Sequence, residues 1–342
     1  MKRAFYCVLR DIPLIEIWRD DAPGERRTAL VENGLPVEIH IQRDAYWVLG
    51  EHGEGRIERK TPSGAYITPA SGTEILLRGK TSAPEGAHIG FEIIREAIAE
   101  PGRIKPAEAA LCETLEAVRC DKAALWDRRI AQMGLPISTK PLDAAFDAAL
   151  AGESNLGDVV ISFQRTKAGL VFDVDGIGDP FAINSVAATE IARLLRLYQV
   201  GAMVVVDFVS MESKAQRSDI AGILDAAAAS DCRPFERTAI NGYGLMQIVR
   251  ARPRPSVLDH LFATRIAALS DETQALWLLR QVSQSSGFGP RTVTAVPPVA
   301  RLLESPGWDD VRAQAVRMAG APMVVVADEK ATGYGHVHVA QS

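Results

Sequence analysis

The 342-residue sequence lacks the features that mark several large classes of protein. No apolar run approaches the ~20 residues of a membrane span, and Met1–Tyr6 lacks the apolar segment of a signal peptide. The two absences together predict a cytoplasmic protein. The cysteines are scattered without a C-x-x-C pair, which argues against a disulfide framework and against a structural zinc site of ordinary spacing. They are Cys7, Cys112, Cys120 and Cys232.

An excess of positive charge and a phosphate-binding loop are also missing. The chain has 38 Lys+Arg against 43 Asp+Glu, a formal net charge of −5. A general polyanion binder is therefore excluded, and any nucleic-acid contact must come from a local basic face. No G-x-x-x-x-G-K-S/T loop occurs, so an NTPase is not expected. The length suits two or three domains with a substantial apolar core.

Two short apolar segments in the middle of the chain carry carboxylates at or near their ends. Leu170–Asp175 and Met203–Phe208 have the character of buried strands, and residues 187–198 between them show an apolar stripe at helical spacing. A strand–helix–strand unit has parallel strands. If these strands are neighbours, Asp173 and Asp207 end at the same edge of the sheet.

This acidic edge predicts a metal site, with one alternative left open. Asp175 lies on the same face as Asp173 because side chains alternate along a strand with period two. Together with Asp207, these hard oxygen ligands suit Mg²⁺ or Mn²⁺. The alternative is that the acids end strands where the chain leaves the core and hydrogen-bond their own backbone.

Residues 1–105 are predicted to be all-β and to contain a small barrel of the OB type. Gly55–Lys60, Ala65–Thr68 and Glu74–Arg78 have the length and punctuation of successive strands. Such barrels bind single strands by stacking bases on surface aromatics above a basic groove, a role that suits Tyr66. The alternative is a half-buried strand aromatic among solvated cations. The neighbouring cations are Arg56, Arg59, Lys60 and Arg78.

The remaining chain is predicted to have three parts. Residues 106–157 are Ala-rich and form a helical connecting segment, and residues 158–257 form an α/β domain around the strand–helix–strand unit. Residues 258–342 form a small C-terminal α/β domain. The fold class is therefore a multidomain α+β and α/β protein.

Two further motifs have competing interpretations. The run Arg250–Pro255 is extended because of its alternate prolines, and it either lays three guanidinium groups along a phosphate backbone or is a solvated linker. His336 and His338 share one face of a strand, and without nearby Cys or acids we expect a surface strand and not a metal site.

Three segments have a specific pattern. Asn184–Leu197 reads N-S-V-A-A-T-E-I-A-R-L-L-R-L, Gly201–Met211 reads G-A-M-V-V-V-D-F-V-S-M, and Gly244–Arg250 reads G-L-M-Q-I-V-R. They resemble the N-x-x-A-A-x-E-I-A-R-Q-L-R-L helix, the strand ending I-D-F-I-D-M and the F-G-L-x-E-M-x-R-x-R segment of the ribonuclease E/G family. Looser resemblance occurs at Arg27–Gly34 and at Pro297–Leu303.

The resemblance implies an S1-like barrel of the OB type and a central α/β nuclease domain. It implies Mg²⁺-dependent internal cleavage of single-stranded RNA, leaving 5′-phosphate and 3′-hydroxyl ends, in RNA processing or decay. The family's metal acids correspond to Asp173 and Asp207, and its RNA-clamping barrel aromatic corresponds to Tyr66. Candidates for RNA contact and for offsetting transition-state charge are Arg233, Arg250 and Arg252.

The sequence also departs from the family pattern. Asp175 replaces the Asn of the family's D-I-N-S motif and is expected to act as a third metal ligand, directly or through water. Gly176 replaces the Ser of that motif, and Ser210 replaces a second strand-end acid. The C-P-x-C-x-G zinc link is missing after Ser256, so no zinc is expected, and any homodimer would form without it.

Three functions remain in competition. The first is an active, Mg²⁺-dependent endoribonuclease (Mn²⁺ is a possible substitute), favoured because both family metal positions are still Asp. The second is a catalytically weak or inactive RNA-binding protein that retains the scaffold. The third is a metal-dependent phosphatase or nucleotide hydrolase, which needs only the acidic edge. Divalent-dependent scission of RNA separates the first two.

Overall fold

A computed structural model describes residues 14–112 and 125–339 of the chain. The predictions for Met1–Tyr6, Cys7 and Cys120 lie outside these residues. Within the described ranges, no helix is both long enough and apolar enough to cross a membrane. Cys112 and Cys232 are free thiols.

The first part of the chain forms a four-stranded sheet, a closed five-stranded barrel and a two-stranded hairpin. Its strands are β1 (Ile15–Ala22), β2 (Glu25–Glu32), β3 (Leu35–Arg43), β4 (His52–Thr61), β5 (Gly64–Pro69), β6 (Ile75–Arg78), β7 (His88–Arg95), β8 (Ile98–Glu100), β9 (Arg103–Lys105), β10 (Ala107–Leu111) and β11 (Ile137–Thr139). The sheet has the order β11-β1-β2-β3, and the barrel has the order β10-β6-β5-β4-β7. The barrel is consistent with the predicted OB type.

The barrel is filled by one apolar side of each strand. Alternate residues of β5, Ala65 and Ile67, are buried inside, so the intervening Tyr66 lies on the outer surface. Closure comes from β10, which pairs in parallel with β6 and antiparallel with β7.

The segment 106–157 is less helical than its composition predicts. Helices α1 (Leu125–Met133) and α2 (Asp143–Ala151) are present. However, the segment also contributes β10, β11 and a further strand, β12 (Glu153–Asn155), so the prediction of a wholly helical connection is wrong. The free edges of β6 and β7 offer backbone hydrogen bonds to β10, and these override the helix propensity of its alanines.

The central part of the chain is a mixed sheet of six strands with helices between them. Its elements after β12 are β13 (Val159–Arg165), β14 (Leu170–Gly176), α3 (Pro180–Leu197), β15 (Ala202–Asp207), α4 (Lys214–Ala228), β16 (Phe235–Arg237) and β17 (Leu245–Arg250). The sheet order is β12-β13-β14-β15-β17-β16. β14 and β15 are parallel neighbours, whereas β17 runs antiparallel to β15. The predicted strand–helix–strand unit is confirmed.

One face of this sheet is covered and the other is open. Phe172 and Val206 are buried, as is the stripe of α3 that includes Ile191 and Leu194. Burial of each such side chain contributes about 1.5–3 kcal/mol. The alternate residues of β14, β15 and β17 are half-buried or exposed, which leaves the second face of the sheet accessible to solvent.

The C-terminal part contains four helices and a three-stranded sheet within the described residues. They are α5 (Val257–Phe262), α6 (Asp271–Gln284), β18 (Arg291–Ala295), α7 (Pro297–Glu304), a 3₁₀ turn (Pro306–Trp308), α8 (Asp309–Ala319), β19 (Met323–Ala327) and β20 (His336–Val339). This part of the chain thus contains both helices and strands, and its prediction as a separate small domain stays a prediction. His336 and His338 are both exposed on β20, as expected for a surface strand.

Candidate active site

Two carboxylates meet at the carboxyl edge of the parallel strand pair. Asp173 on β14 is the register partner of Asp207 on β15, and neighbouring strands lie about 4.8 Å apart. Both side chains are exposed, as is that of Asp175. The prediction that the strands are neighbours and place both acids at one edge is confirmed.

The alternation of β14 determines which residues face solvent. Phe172 and Val174 lie in the core, so Asp173 and Asp175 lie on the open face. Asp207 likewise follows the buried Val206. The row of register partners across four strands is Ser162, Asp173, Asp207 and Leu245.

The carboxylates at this edge repel one another. Burial raises the pKa of Asp173, and the negative charges of Asp175 and Asp207 raise it further. Within residues 14–112 and 125–339, no three acidic, histidine or cysteine side chains are grouped as a ready metal-binding cluster. The register therefore supports a pair, Asp173 and Asp207, more directly than the predicted triad. A pair still fits Mg²⁺, which is usually bound through one or two carboxylates and keeps several waters.

A buried side chain holds the chain just after Asp207. Asn184 of α3 is 0% exposed. Its Nδ2 donates to the carbonyl of Val209 at 2.7 Å, and its Oδ1 accepts from the Val209 N–H at 3.0 Å. Sequence reasoning quoted this residue only as part of a motif. The available signal was an amide on the buried side of an apolar helix, since such groups must find partners.

The loop before β17 lies against the same edge. The Phe208 N–H donates to the carbonyl of Gly244 at 3.1 Å. Gly244 has φ +91°, and a Cβ there would lie 2.3 Å from the Phe208 oxygen and 3.6 Å from Asp207 Oδ1. Only glycine permits this close approach. The loop therefore places Tyr243, which is 83% exposed, next to the acidic edge.

The glycine that replaces the family serine is also constrained. A Cβ on Gly176 would lie 2.9 Å from the Asp158 carbonyl oxygen and 2.9 Å from Cγ2 of Ile183. A serine at this position would require the surrounding backbone or α3 to shift. The packing of this chain is adapted to the departure.

Arg250 does not lie at the acidic edge. It is the register partner of Ala202, whereas Leu245 is the partner of Asp207, so about 17 Å of strand separates it from the acids. Arg250 is 3% exposed, donates to the Leu195 carbonyl at 3.0 Å and pairs with Asp231. The prediction that it contacts RNA is wrong, because its guanidinium is buried.

Arg233 and Arg252 belong to the same remote edge. Arg233 donates to the carbonyl of Gln199 at 3.3 Å. Arg252 pairs with Glu100 at 3.1 Å and with Asp259 at 2.7 Å. Neither residue is placed to offset charge at Asp173 and Asp207, so that part of the prediction is corrected. Both join the amino end of β15 to its neighbouring segments.

Two basic residues lie in the first turn of the helix that follows β15. α4 begins at Lys214, seven residues after Asp207, and Lys214 is exposed. Arg217 in the first turn donates to the Glu212 carbonyl at 3.0 Å and also to that of Met211. Sequence reasoning missed this pair, although their position one loop after an acid-tipped strand was a usable signal.

Tyr66 lies on the outer face of the barrel, and another side chain already contacts its ring. The guanidinium carbon of Arg59 lies 3.7 Å from its ring centroid, an attractive cation–π geometry. Arg59 also pairs with Glu74 at 3.6 Å, and Arg56 pairs with Glu58 at 3.1 Å. One face of the ring is therefore covered by a cation that is itself partly neutralised. Base stacking on Tyr66 stays a prediction.

The segment where the family has its zinc link is a capped helix. Ser256 forms a capping box with Asp259 at the start of α5. Asp259 in turn pairs with Arg165 at 3.0 Å and with Arg252. Through Asp259, this helix is therefore joined to Arg165 of β13 and to Arg252, which follows β17.

The central sheet with paired carboxylates at its carboxyl edge, beside a small closed barrel, defines a mixed α/β protein with a candidate nuclease centre. Residues 162–253 match the family model described as "Ribonuclease E/G family". This region of the chain is therefore similar to the ribonuclease E/G family, and the resemblance inferred from the sequence is confirmed.

Several curated relatives show the same similarity. A chloroplastic ribonuclease E/G-like protein of Arabidopsis thaliana is 32% identical over 115 residues, which are 30% of this chain and 11% of that protein. Ribonuclease E of Escherichia coli (strain K12) is 29% identical over 218 residues, 57% of this chain and 20% of that protein. Ribonuclease E of Buchnera aphidicola is 28% identical over 179 residues, with shares of 50% and 19%. The matches thus span at most about a fifth of each relative's length.

Proposed function

We propose that the chain is a metal-dependent endoribonuclease that cuts single-stranded RNA internally, leaving 5′-phosphate and 3′-hydroxyl ends. The observation that carries this proposal is the register pair of Asp173 and Asp207 at an exposed sheet edge. The pair lies inside the region, residues 162–253, that matches the ribonuclease E/G family. The ends left by the cut follow from the family resemblance.

Asp173 and Asp207 would hold a divalent cation, Mg²⁺ or Mn²⁺, with Asp175 bound directly or through water. The donor set fits because carboxylate oxygens are the preferred ligands of Mg²⁺ and because the like charges around Asp173 call for a cation. When bound, the ion would polarise the phosphoryl oxygen and lower the pKa of an attacking water.

The chain's own contribution is to fix the acids and to leave room for a strand. Asn184 and the Gly244 loop hold the backbone immediately after Asp207, at Val209 and Phe208 respectively. The open face of the sheet gives an extended RNA access to the acids without a lid. Lys214 and Arg217 replace Arg233, Arg250 and Arg252 as our candidates for offsetting charge on the phosphate.

The barrel would supply a second contact with RNA through Tyr66. The Arg59 guanidinium already stacks on one face of the Tyr66 ring. On RNA binding it would either move away or stay in place while a base stacks on the opposite face of the ring. Self-association through the small C-terminal domain, without a zinc link, remains a further prediction.

A binding-only role is the second candidate, and it is favoured because Asp175 and Gly176 replace the Asn and Ser of the family's D-I-N-S motif. Two further observations predict weak RNA association for either candidate. The barrel cations are paired with acids, as in Arg59 with Glu74 and Arg78 with Glu108. In addition, the net charge is −5. Both features weaken the electrostatic attraction that drives RNA association.

The test is incubation of the full chain with a 5′-labelled, A/U-rich single-stranded RNA in Mg²⁺, in Mn²⁺ and in EDTA. Asp207→Asn should lose cleavage while keeping RNA binding on a native gel. Asp310→Asn, which changes an exposed acid on α8, is the matched control and should cleave as the wild type does. Cleavage by Asp207→Asn at the wild-type rate would remove the assignment. Retarded but intact wild-type RNA would establish the binding-only role.

A further inference from the structure

An exposed aromatic residue lies beside the acidic edge, and its side chain does not pack in the core. Tyr243 is 83% exposed, so its ring contributes little to the core. A single exposed aromatic is common on protein surfaces; Tyr243 differs from an ordinary one because its backbone neighbour Gly244 adjoins Asp207, so its ring is available to a ligand held at the acidic edge.

The distance from Tyr243 to the acids is limited by the chain itself. The Cβ position of Gly244 lies 3.6 Å from Asp207 Oδ1. Because consecutive Cα atoms are 3.8 Å apart and the Cα–Cβ bond adds about 1.5 Å, the Cα of Tyr243 lies within about 9 Å of that carboxylate oxygen. The tyrosine ring therefore lies within one nucleotide's reach of a phosphate held at Asp207.

The loop that carries the ring is internally fixed. The side-chain oxygen of Asn241 accepts from the Tyr243 N–H at 2.8 Å and from the Leu245 N–H at 3.1 Å. The backbone N–H of Asn241 donates to the Leu245 carbonyl at 3.0 Å. A ring on a loop ordered in this way loses little conformational entropy when a ligand stacks on it.

We propose that Tyr243 stacks on a base next to the scissile phosphate of a single-stranded RNA, on the β17 side of the acid pair, and thereby positions that phosphate over Asp173 and Asp207. The inference rests on the proposed nuclease function and adds to it a residue that positions the substrate. The ligand is a nucleobase because every base offers a flat π-face to an aromatic ring, whereas hydrogen-bond readout would require polar groups.

The test combines a changed ring with a changed base. Wild type, Tyr243→Ala, Tyr243→Phe and Phe288→Ala are compared on a single-stranded RNA whose main cut has been mapped. The same RNA is then used with one abasic nucleotide at each position flanking the cut. Phe288→Ala is the matched control, because Phe288 is a fully exposed aromatic in the loop after α6. Thermal melting confirms that each variant is folded.

We expect kcat/KM on intact RNA to fall about tenfold in Tyr243→Ala and to stay near the wild-type value in Tyr243→Phe and Phe288→Ala. An abasic nucleotide at one flanking position should slow the wild type by a similar factor and leave Tyr243→Ala almost unaffected. Equal cleavage by Tyr243→Ala and wild type, or an equal response of both to every abasic position, would overturn the proposal.

The stacking contact can also be tested if the protein proves not to be a nuclease. If wild type binds RNA without cutting it, the stacking is measured by the fluorescence of 2-aminopurine scanned along the RNA. Quenching that is present in wild type and Tyr243→Phe and lost in Tyr243→Ala supports the stacking contact. Quenching that is unchanged in Tyr243→Ala, or absent from wild type, overturns it and indicates that Tyr243 serves another partner.

Discussion

The side-chain amide of Asn184 and the backbone of Val209 form two hydrogen bonds, one in each direction, across the top of the central sheet. Val209 lies two residues after Asp207, so the contact fixes the path by which the chain leaves the acidic edge. Asn184 is fully buried, so its amide is the partner that satisfies the Val209 N–H and carbonyl. The contact thus links the first turns of α3 to the position of a candidate metal ligand.

Removal of this amide should affect both folding and activity. Asn184→Ala leaves the two backbone groups of Val209 unpaired, so the free energy of unfolding should fall by about 2–4 kcal/mol. We expect kcat to fall at least about tenfold because a misplaced ligand is costly. Urea denaturation and single-turnover cleavage measure the two effects. Asn184→Asp keeps the shape and the acceptor but loses the donor, and an unchanged urea midpoint in both variants would contradict the assigned role.

Neutralising Asp173 should stabilise the metal-free protein while destroying its activity. Its pKa is raised above the ordinary 3.8 by burial, Asp175 and Asp207. Below pH 3.8 the carboxyl is protonated in the folded and unfolded states alike. As the pH rises, the unfolded chain ionises first, so the folded wild type loses stability until its own raised pKa is passed.

In EDTA, Asp173→Asn should therefore melt at a higher temperature than wild type at pH 7, with a gain that shrinks towards pH 4. Mg²⁺ should raise the Tm of wild type and have little effect on Asp173→Asn. Asp310→Asn again serves as the control. A variant that is less stable than wild type in EDTA at pH 7 would show that Asp173 is not held against like charges.

Asp175 is a candidate site residue that departs from the ribonuclease E/G pattern, and its replacement tests whether two carboxylates suffice. Asp175→Asn restores the family residue and removes one negative charge about two strand residues from Asp173. We expect cleavage to persist, with the Mg²⁺ concentration for half-maximal rate raised roughly fivefold, since one exposed charge at contact distance is worth about 1 kcal/mol. A complete loss of cleavage, as in Asp207→Asn, would instead make Asp175 an indispensable ligand.

Two basic residues should separate folding from RNA recognition. Arg250→Ala removes a buried ion pair with Asp231, so it should lower the free energy of unfolding by about 3–5 kcal/mol. Lys214→Ala changes an exposed side chain, so it should leave the Tm unchanged. It should, however, weaken RNA binding and reduce the salt dependence of that binding by about one counterion. Native-gel titrations at two salt concentrations measure this slope, and unaltered binding by Lys214→Ala would place the phosphate contact elsewhere.

The acidic residues of the site could be predicted because they occur in a short local sequence pattern. Each strand is a short apolar run with an Asp at a defined position, and the intervening helix requires the two strands to be parallel. Alternation then fixes which carboxylates face solvent. These rules predicted that both acids end at one edge if the two strands are neighbours. That the strands are neighbours, and that Asp173 is the register partner of Asp207, came from the structure.

The failures arose where distant partners decide the structure. Ala107–Leu111 has helix-forming composition, but the free edges of β6 and β7 make it a strand. The remote position of Arg250 depends on β17 running antiparallel to β15, which no local pattern specifies. Its burial, by contrast, was available, since alternation from Met246 and Ile248 places Arg250 on the covered face.

The late closure of the barrel also sets a limit on how the chain can be shortened. Strand β10 lies twelve residues after β7 ends and supplies the last pairing on both sides of the gap. A fragment that ends before Ala107 would leave the backbone groups of β6 and β7 that face β10 unpaired. Such exposed strand edges recruit other chains, so we expect that fragment to aggregate, whereas one extending beyond β10 has no open seam in its barrel.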